Sequence, residues 1–253
     1  MRRVVGFLFA VVGALITLGF ALLVSIPILP FALVPRGRRE RYAMRGAQLF
    51  GWLVLRPLLW LRIERVGLHL LPKEGGYLVI SNHRSWIDVP ILMVYTASNG
   101  ISKKEVKYVP FFGVNGYLSG AIFFDRTSKM SRARVVSDAL LLLRGKANVH
   151  VFPEGTRTRD GHIGSRIYLR LVQSCWENGV DVVPACVWGT EAVVPAASVY
   201  AMPGQSVGIE VEAPLDRAAF VDGEAYAAAT WAKVVEIARR RGCDEPFRAS
   251  EAG

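Results

Sequence analysis

Residues 77–88 of the chain read YLVISNHRSWID, and this stretch decides the fold. Its first five residues form a short apolar run, which is typical of a strand buried on both faces. From Trp86 to residue 97 the pattern is helical, with Ser85 as the expected N-cap and Pro90 as a residue that can shift the helix start. A strand that leads through a polar turn into a helix is the repeating unit of parallel sheets.

The rest of the chain, from about residue 63, continues this alternation. We predict further strands at 121–124, 148–152, 180–187 and 207–211, and further helices at 131–143, 165–178 and 222–241. Ser131 is the expected N-cap of the first of these helices. The alternation predicts an α/β fold, in which a largely parallel central sheet is flanked by helices. In such sheets ligands bind beyond the carboxyl ends of the strands.

A histidine and an aspartate follow the first predicted strand, five residues apart. His83 comes directly after the strand, and Asp88 falls in the first turn of the next helix. Folded back, the carboxylate would accept a hydrogen bond from one imidazole nitrogen, and the other nitrogen would be able to take a proton from a hydroxyl group. The alternative is purely structural: a histidine at a strand end and an aspartate near a helix N-terminus.

A second polar turn, FPEGTR at residues 152–157, follows the predicted strand 148–152. Gly155 permits a tight turn and the close approach of a ligand. Thr156 adds a hydroxyl group, and Arg157 adds a planar guanidinium group that suits phosphate. Glu154 is unusual beside a phosphate; it could orient Arg157 or bind a substrate hydroxyl. The alternative is an ordinary surface turn with solvated charges.

The amino-terminal part of the chain is strongly apolar. Residues 4–25 contain no charge, and a helix of about 20 such residues spans the hydrocarbon core of a bilayer. A cleaved signal peptide and a helix buried in a soluble core are the alternatives. Five arginines follow the apolar region and two precede it, which places the bulk of the chain in the cytoplasm by the positive-inside rule. The five are Arg36, Arg38, Arg39, Arg41 and Arg45.

A shorter apolar segment, residues 47–61, is interrupted by Arg56 and Pro57. Its tryptophans, Trp52 and Trp60, suit the interface between membrane and water. We expect a helix in or against the membrane surface, with an ordinary core helix as the alternative. Residues 1–62 are therefore predicted to anchor the chain to a membrane, and residues 63–253 to form the α/β domain.

Composition restricts the possible partners. The net charge of +10 suits anionic lipid, phosphorylated substrates or nucleic acid. The position of the arginines beside the apolar region favours a membrane surface. We expect no nucleic-acid partner, because no aromatic residues are interleaved along a basic groove. Cys175, Cys186 and Cys243 lack metal-like spacing, so free buried thiols and no metal site are expected.

Together the two polar turns resemble the glycerolipid acyltransferases, the family of 1-acylglycerol-3-phosphate acyltransferases. NHRSWID at 82–88 is similar to the NHxxxxD block of that family, and FPEGTR is similar to its third block, with about seventy residues between them. Weaker similarities lie in the same order: GAIFFDR at 120–126, VVPACV at 182–187, and a lysine-containing segment at 103–113. The resemblance covers roughly residues 63–215.

The resemblance implies an activity. Members of this family transfer a fatty acyl group from acyl-CoA or acyl-carrier protein to the hydroxyl group of a lysophospholipid, most often converting 1-acylglycerol 3-phosphate to phosphatidic acid. No metal or bound cofactor is implied, because the acyl thioester is a substrate. The resemblance further implies a membrane-bound enzyme, in a bacterial-type inner membrane with the catalytic domain facing the cytoplasm.

The resemblance also assigns roles to residues. His83 would be the general base, oriented by Asp88. Pro184 would shape a substrate pocket. The acceptor would be held by the third block, with Arg157 on its phosphate and further positive charge nearby; this set comprises Lys104, Arg126, Glu154, Gly155, Thr156 and Arg157.

The sequence departs from the family just after the third block. Many members carry a phenylalanine–lysine–x–glycine stretch there, whereas this chain reads Gly164-Ser165-Arg166-Ile167-Tyr168. Other acceptors, such as a lyso-ornithine lipid, therefore stay open. A lipid-binding protein without catalytic activity is a further alternative, against which the intact His83 and Asp88 argue.

Overall fold

The structure, a computed structural model, describes residues 30, 32–34, 39–108, 112–158, 160–164, 166–195 and 201–245. The apolar run predicted to cross a membrane, residues 4–25, lies outside these residues. Within the described part of the chain, no helix combines the length and the apolar character that a membrane span requires.

The described residues contain one sheet of seven strands. The strands are β1 (Arg62–Val66), β2 (Leu78–Ser81), β3 (Ser98–Lys103), β4 (Ile122–Phe124), β5 (Asn148–Val151), β6 (Val182–Trp188) and β7 (Ser206–Val211). Their order across the sheet is β1-β7-β6-β2-β5-β3-β4. Neighbouring strands are parallel except β6 and β7, which are antiparallel. The predicted largely parallel sheet is thus confirmed.

Helices cover both faces of this sheet. They are α1 (Arg39–Leu53), α2 (Asp88–Thr96), α3 (Phe112–Ser119), α4 (Lys129–Arg144), α5 (Arg170–Glu177), α6 (Thr190–Val193) and α7 (Gly223–Arg240). On β2, Val79 packs with Ile91 of α2 on one face, and Leu78 and Ile80 pack with α4, α5 and α7 on the other. Because alternate residues of a strand point to opposite faces, a run of consecutive apolar residues fits a sheet covered on both sides.

Two predicted helix caps are wrong. The hydroxyl of Ser128, and not that of Ser131, accepts a hydrogen bond from a backbone N–H in the first turn of α4. Ser131 instead accepts from the backbone N–H of Asp125. Helix α2 begins at Asp88 without a side-chain cap, and Ser85 lies before it, where its hydroxyl donates to the carbonyl of Val194. The predicted helix at 165–178 is shorter than expected and begins at Arg170.

The apolar segment 47–61 packs against the core on one side only, and its contact with a membrane surface stays a prediction. Helix α1 starts at Arg39, eight residues earlier than the apolar pattern indicated, and a wider turn at Val54–Leu58 contains Pro57. One side of the segment is buried, with Leu55, Leu59 and Leu61 in the core beside the sheet. The other side exposes large apolar residues, which are Leu49, Trp52, Leu58 and Trp60. Tyr42, earlier on α1, is also exposed. The domain boundary at residue 62 stays a prediction.

Candidate active site

The sequence-predicted site residues lie at neighbouring strand ends. His83 follows β2, the FPEGTR turn follows β5, Lys104 follows β3, and Arg126 lies just after β4. Since β2, β5, β3 and β4 are consecutive neighbours in the sheet and run in parallel, their carboxyl ends meet at one edge. The structure therefore brings together residues that are up to about seventy positions apart in the chain.

The imidazole of His83 and the carboxylate of Asp88 form a hydrogen-bonded pair. Nδ1 of His83 lies 2.8 Å from Oδ2 of Asp88. The same oxygen accepts from the backbone N–H groups of Arg84 at 2.7 Å and Ser85 at 2.8 Å. A carboxylate can only accept, so Nδ1 carries a proton, and in the neutral imidazole Nε2 then has the lone pair. Among the described residues, no hydrogen bond engages Nε2 of His83.

The ring of Phe152 holds the imidazole of His83 from one side. The two rings stack with centroids 3.9 Å apart and an interplanar angle of 11°. Beneath Phe152 lies the fully buried His150, whose Nδ1 is 2.9 Å from the hydroxyl of Ser98. Burial lowers the pKa of His150 to about 3, so that this second ring adds no positive charge beside His83.

Glu154 connects two turns of the site. Its Oε1 accepts from the backbone N–H of His83 at 2.8 Å, and its Oε2 accepts from that of Gly164 at 3.0 Å. The side chain is buried, and this burial raises the pKa of Glu154. One carboxylate oxygen thus holds the backbone at His83, and the other holds it at Gly164. A contact between Glu154 and an acceptor, as the family resemblance implies, stays a prediction.

The turn after β5 places Gly155 next to two side chains that can donate hydrogen bonds, those of Thr156 and Arg157. Gly155 has φ +68°, in the left-handed region that favours glycine, and its carbonyl accepts from Arg126. Thr156 is exposed. The guanidinium group of Arg157 lies 4.8 Å from the centroid of the Trp86 ring. Its Nη1 is buried and has no hydrogen-bond partner among the described residues. That nitrogen is a donor suited to an anion.

Lys104 forms an ion pair at this edge of the sheet. Its Nζ lies 2.6 Å from Oδ2 of Asp125, which precedes Arg126. The hydrogen bond from Lys104, together with those from Thr127, lowers the pKa of Asp125. The expected positive charge of Lys104 is therefore largely balanced by a carboxylate. Arg126 and Arg157 also lie at the glycine turn, where Arg126 donates to the carbonyl of Gly155, and the acceptor contacts of all three cations stay predictions.

Three residues close to the pair were not predicted from the sequence as part of the site. The hydroxyl of Thr190 donates to the second carboxylate oxygen of Asp88, Oδ1, at 2.5 Å. The next residue, Glu191, forms a buried ion pair with Arg84, with Nε and Oε2 3.0 Å apart. The available sequence signal is the Gly-Thr dipeptide at 189–190, just beyond the predicted strand 180–187. No local pattern indicated that it would lie beside Asp88.

The remaining sequence predictions for the site concern the cysteines, Pro184 and possible metal ligands. Cys175, Cys186 and Cys243 are free and buried, as predicted. Pro184 lies buried in β6, opposite Ile80 of β2. The described residues contain no group of three or more histidine, cysteine, aspartate or glutamate residues that could hold a metal ion.

Comparison with known proteins identifies the family of the segment that carries both motifs. Residues 62–188, half of the chain and the stretch that carries both motifs, match the family model described as Acyltransferase. The chain belongs to the acyltransferase family. The resemblance inferred from NHRSWID and FPEGTR is thereby confirmed.

Members of the acyltransferase family with curated names are similar over part of their length. The chloroplastic 1-acyl-sn-glycerol-3-phosphate acyltransferase LPAT1 of Arabidopsis thaliana is 30% identical over 198 residues, covering 78% of this chain and 54% of that protein. The 1-acyl-sn-glycerol-3-phosphate acyltransferase alpha of Homo sapiens is 33% identical over 129 residues, or 47% of this chain and 46% of that protein. The chain spans about half the length of the curated relatives it matches.

A solved structure shares the acyltransferase fold. The crystal structure of the 1-acyl-sn-glycerophosphate (LPA) acyltransferase PlsC from Thermotoga maritima superposes with a TM-score of 0.78, at 22% sequence identity. The match covers 96% of this chain and 98% of that one. At this identity the likeness establishes the fold alone.

Proposed function

We propose that this protein is an O-acyltransferase that moves a fatty acyl group from an acyl thioester to the hydroxyl group of a lysophospholipid. The first candidate acceptor is 1-acylglycerol 3-phosphate, and the product is then phosphatidic acid. The observation that carries the proposal is the His83–Asp88 pair, 2.8 Å apart, at the strand edge that also holds Arg157. Relatives named as acyltransferases for 1-acyl-sn-glycerol 3-phosphate support the choice of acceptor.

The pair fits a direct transfer between substrates. Nε2 of His83 takes the proton of the acceptor hydroxyl as its oxygen attacks the thioester carbonyl. Asp88 stabilises the imidazolium that forms. When the tetrahedral intermediate collapses, the carbon–sulfur bond breaks and the proton passes from His83 to the leaving thiolate. An ester and a free thiol result, and no protein nucleophile, metal or bound cofactor takes part.

The glycine turn fits the acceptor's phosphate group. Nη1 of Arg157 is buried and unpartnered among the described residues, and Trp86 fixes the plane of the guanidinium group. A phosphate oxygen satisfies such a donor, and the small Gly155 allows it to approach the backbone. Arg126, which donates to the carbonyl of Gly155, adds a second guanidinium group at the same turn.

A second acceptor class is supported by the departure after the third block. Tyr168 lies against the turn, because a Cβ atom added at Gly155 would be 3.4 Å from its ring. The guanidinium group of Arg166 lies over that ring at 5.3 Å. The phenylalanine and lysine that many members carry are missing here, and an arginine and a tyrosine ring lie beside the turn, so a lysolipid with a different head group, such as a lyso-ornithine lipid, is the second candidate.

The proposed reaction places the protein at a membrane, because both acceptor and product are lipids. The exposed side of α1 and the turn after it carries Leu49, Trp52 and Trp60, with the exposed Arg45 on the same helix. Apolar and aromatic residues with arginine are the composition that binds an anionic lipid surface. The apolar run 4–25 suits a membrane anchor, and the arginines after it favour an orientation with the catalytic residues on the cytoplasmic side, as in a bacterial-type inner membrane.

An acceptor panel tests the proposal. The full chain, purified in detergent, is given labelled acyl-CoA or acyl-carrier protein with 1-acylglycerol 3-phosphate, other lysophospholipids or lyso-ornithine lipid. We expect His83→Ala to lower transfer by a factor of about 10² to 10⁴ with unchanged thermal unfolding. His69→Ala, at an exposed histidine of a short turn, is the matched control and retains activity. Full activity in His83→Ala, or no transfer to any lysolipid, would overturn the proposal.

A further inference from the structure

The carboxylate of Asp88 is held unequally at its two oxygens. Oδ2 accepts from Nδ1 of His83 and from two backbone N–H groups. Oδ1 accepts from the hydroxyl of Thr190. Asp88 and Thr190 are both fully buried. Without that hydroxyl, Oδ1 would lose the hydrogen bond that satisfies it away from water, which is costly for a charged oxygen.

Thr190 reaches Asp88 because of a tight turn after β6. Gly189 has φ +74°, and a Cβ atom at this position would lie 2.5 Å from the carbonyl oxygen of Ser206. Only glycine fits, and the turn brings the next residue to the buried carboxylate. Glu191 ties the same turn to Arg84, whose side chain also donates to the carbonyl of Gly161 at 2.7 Å. The β6–α6 turn is thus fixed to the His83 turn at two points.

We propose that Thr190 is a positioning residue for the acyl transfer. Its hydroxyl fixes the rotation of the Asp88 carboxylate, so that Oδ2 stays directed at Nδ1 of His83 and Nε2 stays directed at the substrate hydroxyl. A misdirected carboxylate leaves the imidazole free to turn and lowers the fraction of molecules with a usable base. This inference rests on the proposed function for its kinetic consequence, but the geometry it describes is independent of the substrate.

Two substitutions at this position separate the hydroxyl from the shape of the side chain. Thr190→Val keeps the volume and removes the donor, and Thr190→Ser keeps the donor. We expect Thr190→Val to lower kcat about ten- to a hundredfold, the range for a hydrogen bond to a charged group, with little change in KM. We expect Thr190→Ser to stay within about threefold of the parent. The matched control is Thr230→Val, since Thr230 is also fully buried and its hydroxyl donates to the Tyr226 carbonyl on α7.

A spectroscopic readout tests the geometry without any substrate. The proton on Nδ1 of His83 gives a low-field NMR resonance, assigned by its loss in His83→Ala. We expect this resonance to shift or broaden in Thr190→Val and to be retained in Thr190→Ser and Thr230→Val. A wild-type resonance and wild-type kcat in Thr190→Val would overturn the inference, as would equal impairment of the valine and serine variants. If no lysolipid is acylated but the resonance responds as expected, the proposed function fails while the positioning role of Thr190 stands.

Discussion

Arg157 differs from the other arginines around the site in how its guanidinium group is used. Arg84 donates to backbone carbonyls and pairs with Glu191, and Arg126 donates to the carbonyl of Gly155. Arg157 stacks on Trp86 and keeps Nη1 buried without a partner among the described residues. A buried donor of this kind is costly unless a ligand satisfies it. The residue is therefore suited to substrate binding more than to holding the fold.

Replacing Arg157 by lysine tests this role. The positive charge remains, but the planar guanidinium group, with its several N–H donors and its stacking on Trp86, is lost. We expect Arg157→Lys to raise KM for 1-acylglycerol 3-phosphate at least about tenfold, with a much smaller change in kcat. Steady-state kinetics with varied acceptor measure the effect. Arg144→Lys is the control, since Arg144 is exposed and donates to the side chain of Asn178. An unchanged KM would show that Arg157 does not bind the phosphate.

At the residue scale, the sequence was most informative where partners are close along the chain. His83 and Asp88 share one strand–turn–helix unit, so their pairing followed from local geometry. Thr190 donates to Asp88 across 102 positions, and nothing in its neighbourhood indicates that contact. Glu154 was predicted as a substrate contact, but both its oxygens accept backbone N–H groups, which cannot be deduced from residue type.

Two strands could not be predicted from the sequence. Strand β3 was not predicted because its sequence, SNGISK, reads as a turn. It is a strand because its polar residues find partners in the core: Ser98 bonds to His150, and Asn99 donates to Ser119. Strand β1, RIERV, was missed because charged residues interrupt it, as suits the edge of a sheet. The apolar pattern finds strands made of apolar runs, including β4 at an edge of the sheet, and overlooks β1 and β3, whose sequences are rich in polar residues.

Helix α7 offers a test of element stability apart from chemistry. The side chain of Asp222 caps it, accepting from the N–H of Ala225 at 2.8 Å. We expect Asp222→Ala to lower the free energy of unfolding by about 1 kcal/mol, with unchanged kcat, because one N–H of the first turn loses its partner. Urea denaturation measures the difference. Asp216→Ala is the matched control: Asp216 caps a turn of only three residues, so a smaller loss is expected. Equal losses would contradict the view that α7 depends on its cap.

At the scale of the whole molecule, strand order explains why one edge carries the chemistry. The motifs at β2 and β5 are far apart in sequence, yet the two strands are direct neighbours. Parallel pairing then places both following turns on the same side of the sheet. The alternation of elements predicted this class of fold, but not the position of β5 between β2 and β3, which depends on long-range pairing.

Helix α1 connects the helices beside the sheet to the proposed lipid-binding surface. Helix α1 packs beside α2, the helix that begins at Asp88, and turns Leu49 and Trp52 outward; Trp60 follows in the loop, 75% exposed. If this side rests on a bilayer, then Trp52 and Trp60 lie at the depth of the lipid head groups and upper acyl chains. Brominated lipids, which quench nearby tryptophans, report that depth in the full chain.

We expect vesicles of brominated anionic lipid to quench the fluorescence of the six tryptophans partially, and the double variant Trp52→Phe/Trp60→Phe to lose most of the quenched fraction. Phenylalanine keeps the apolar contact, so binding to the vesicles persists while the reporter disappears. The control is Trp176→Phe/Trp231→Phe, two partly buried tryptophans packed beside the core on the α4–α5–α7 face, which should leave the quenched fraction nearly unchanged. If Trp52→Phe/Trp60→Phe were quenched as strongly as the parent, the exposed side of α1 would not face the lipid, and the active-site edge would have to meet its acceptor by another surface.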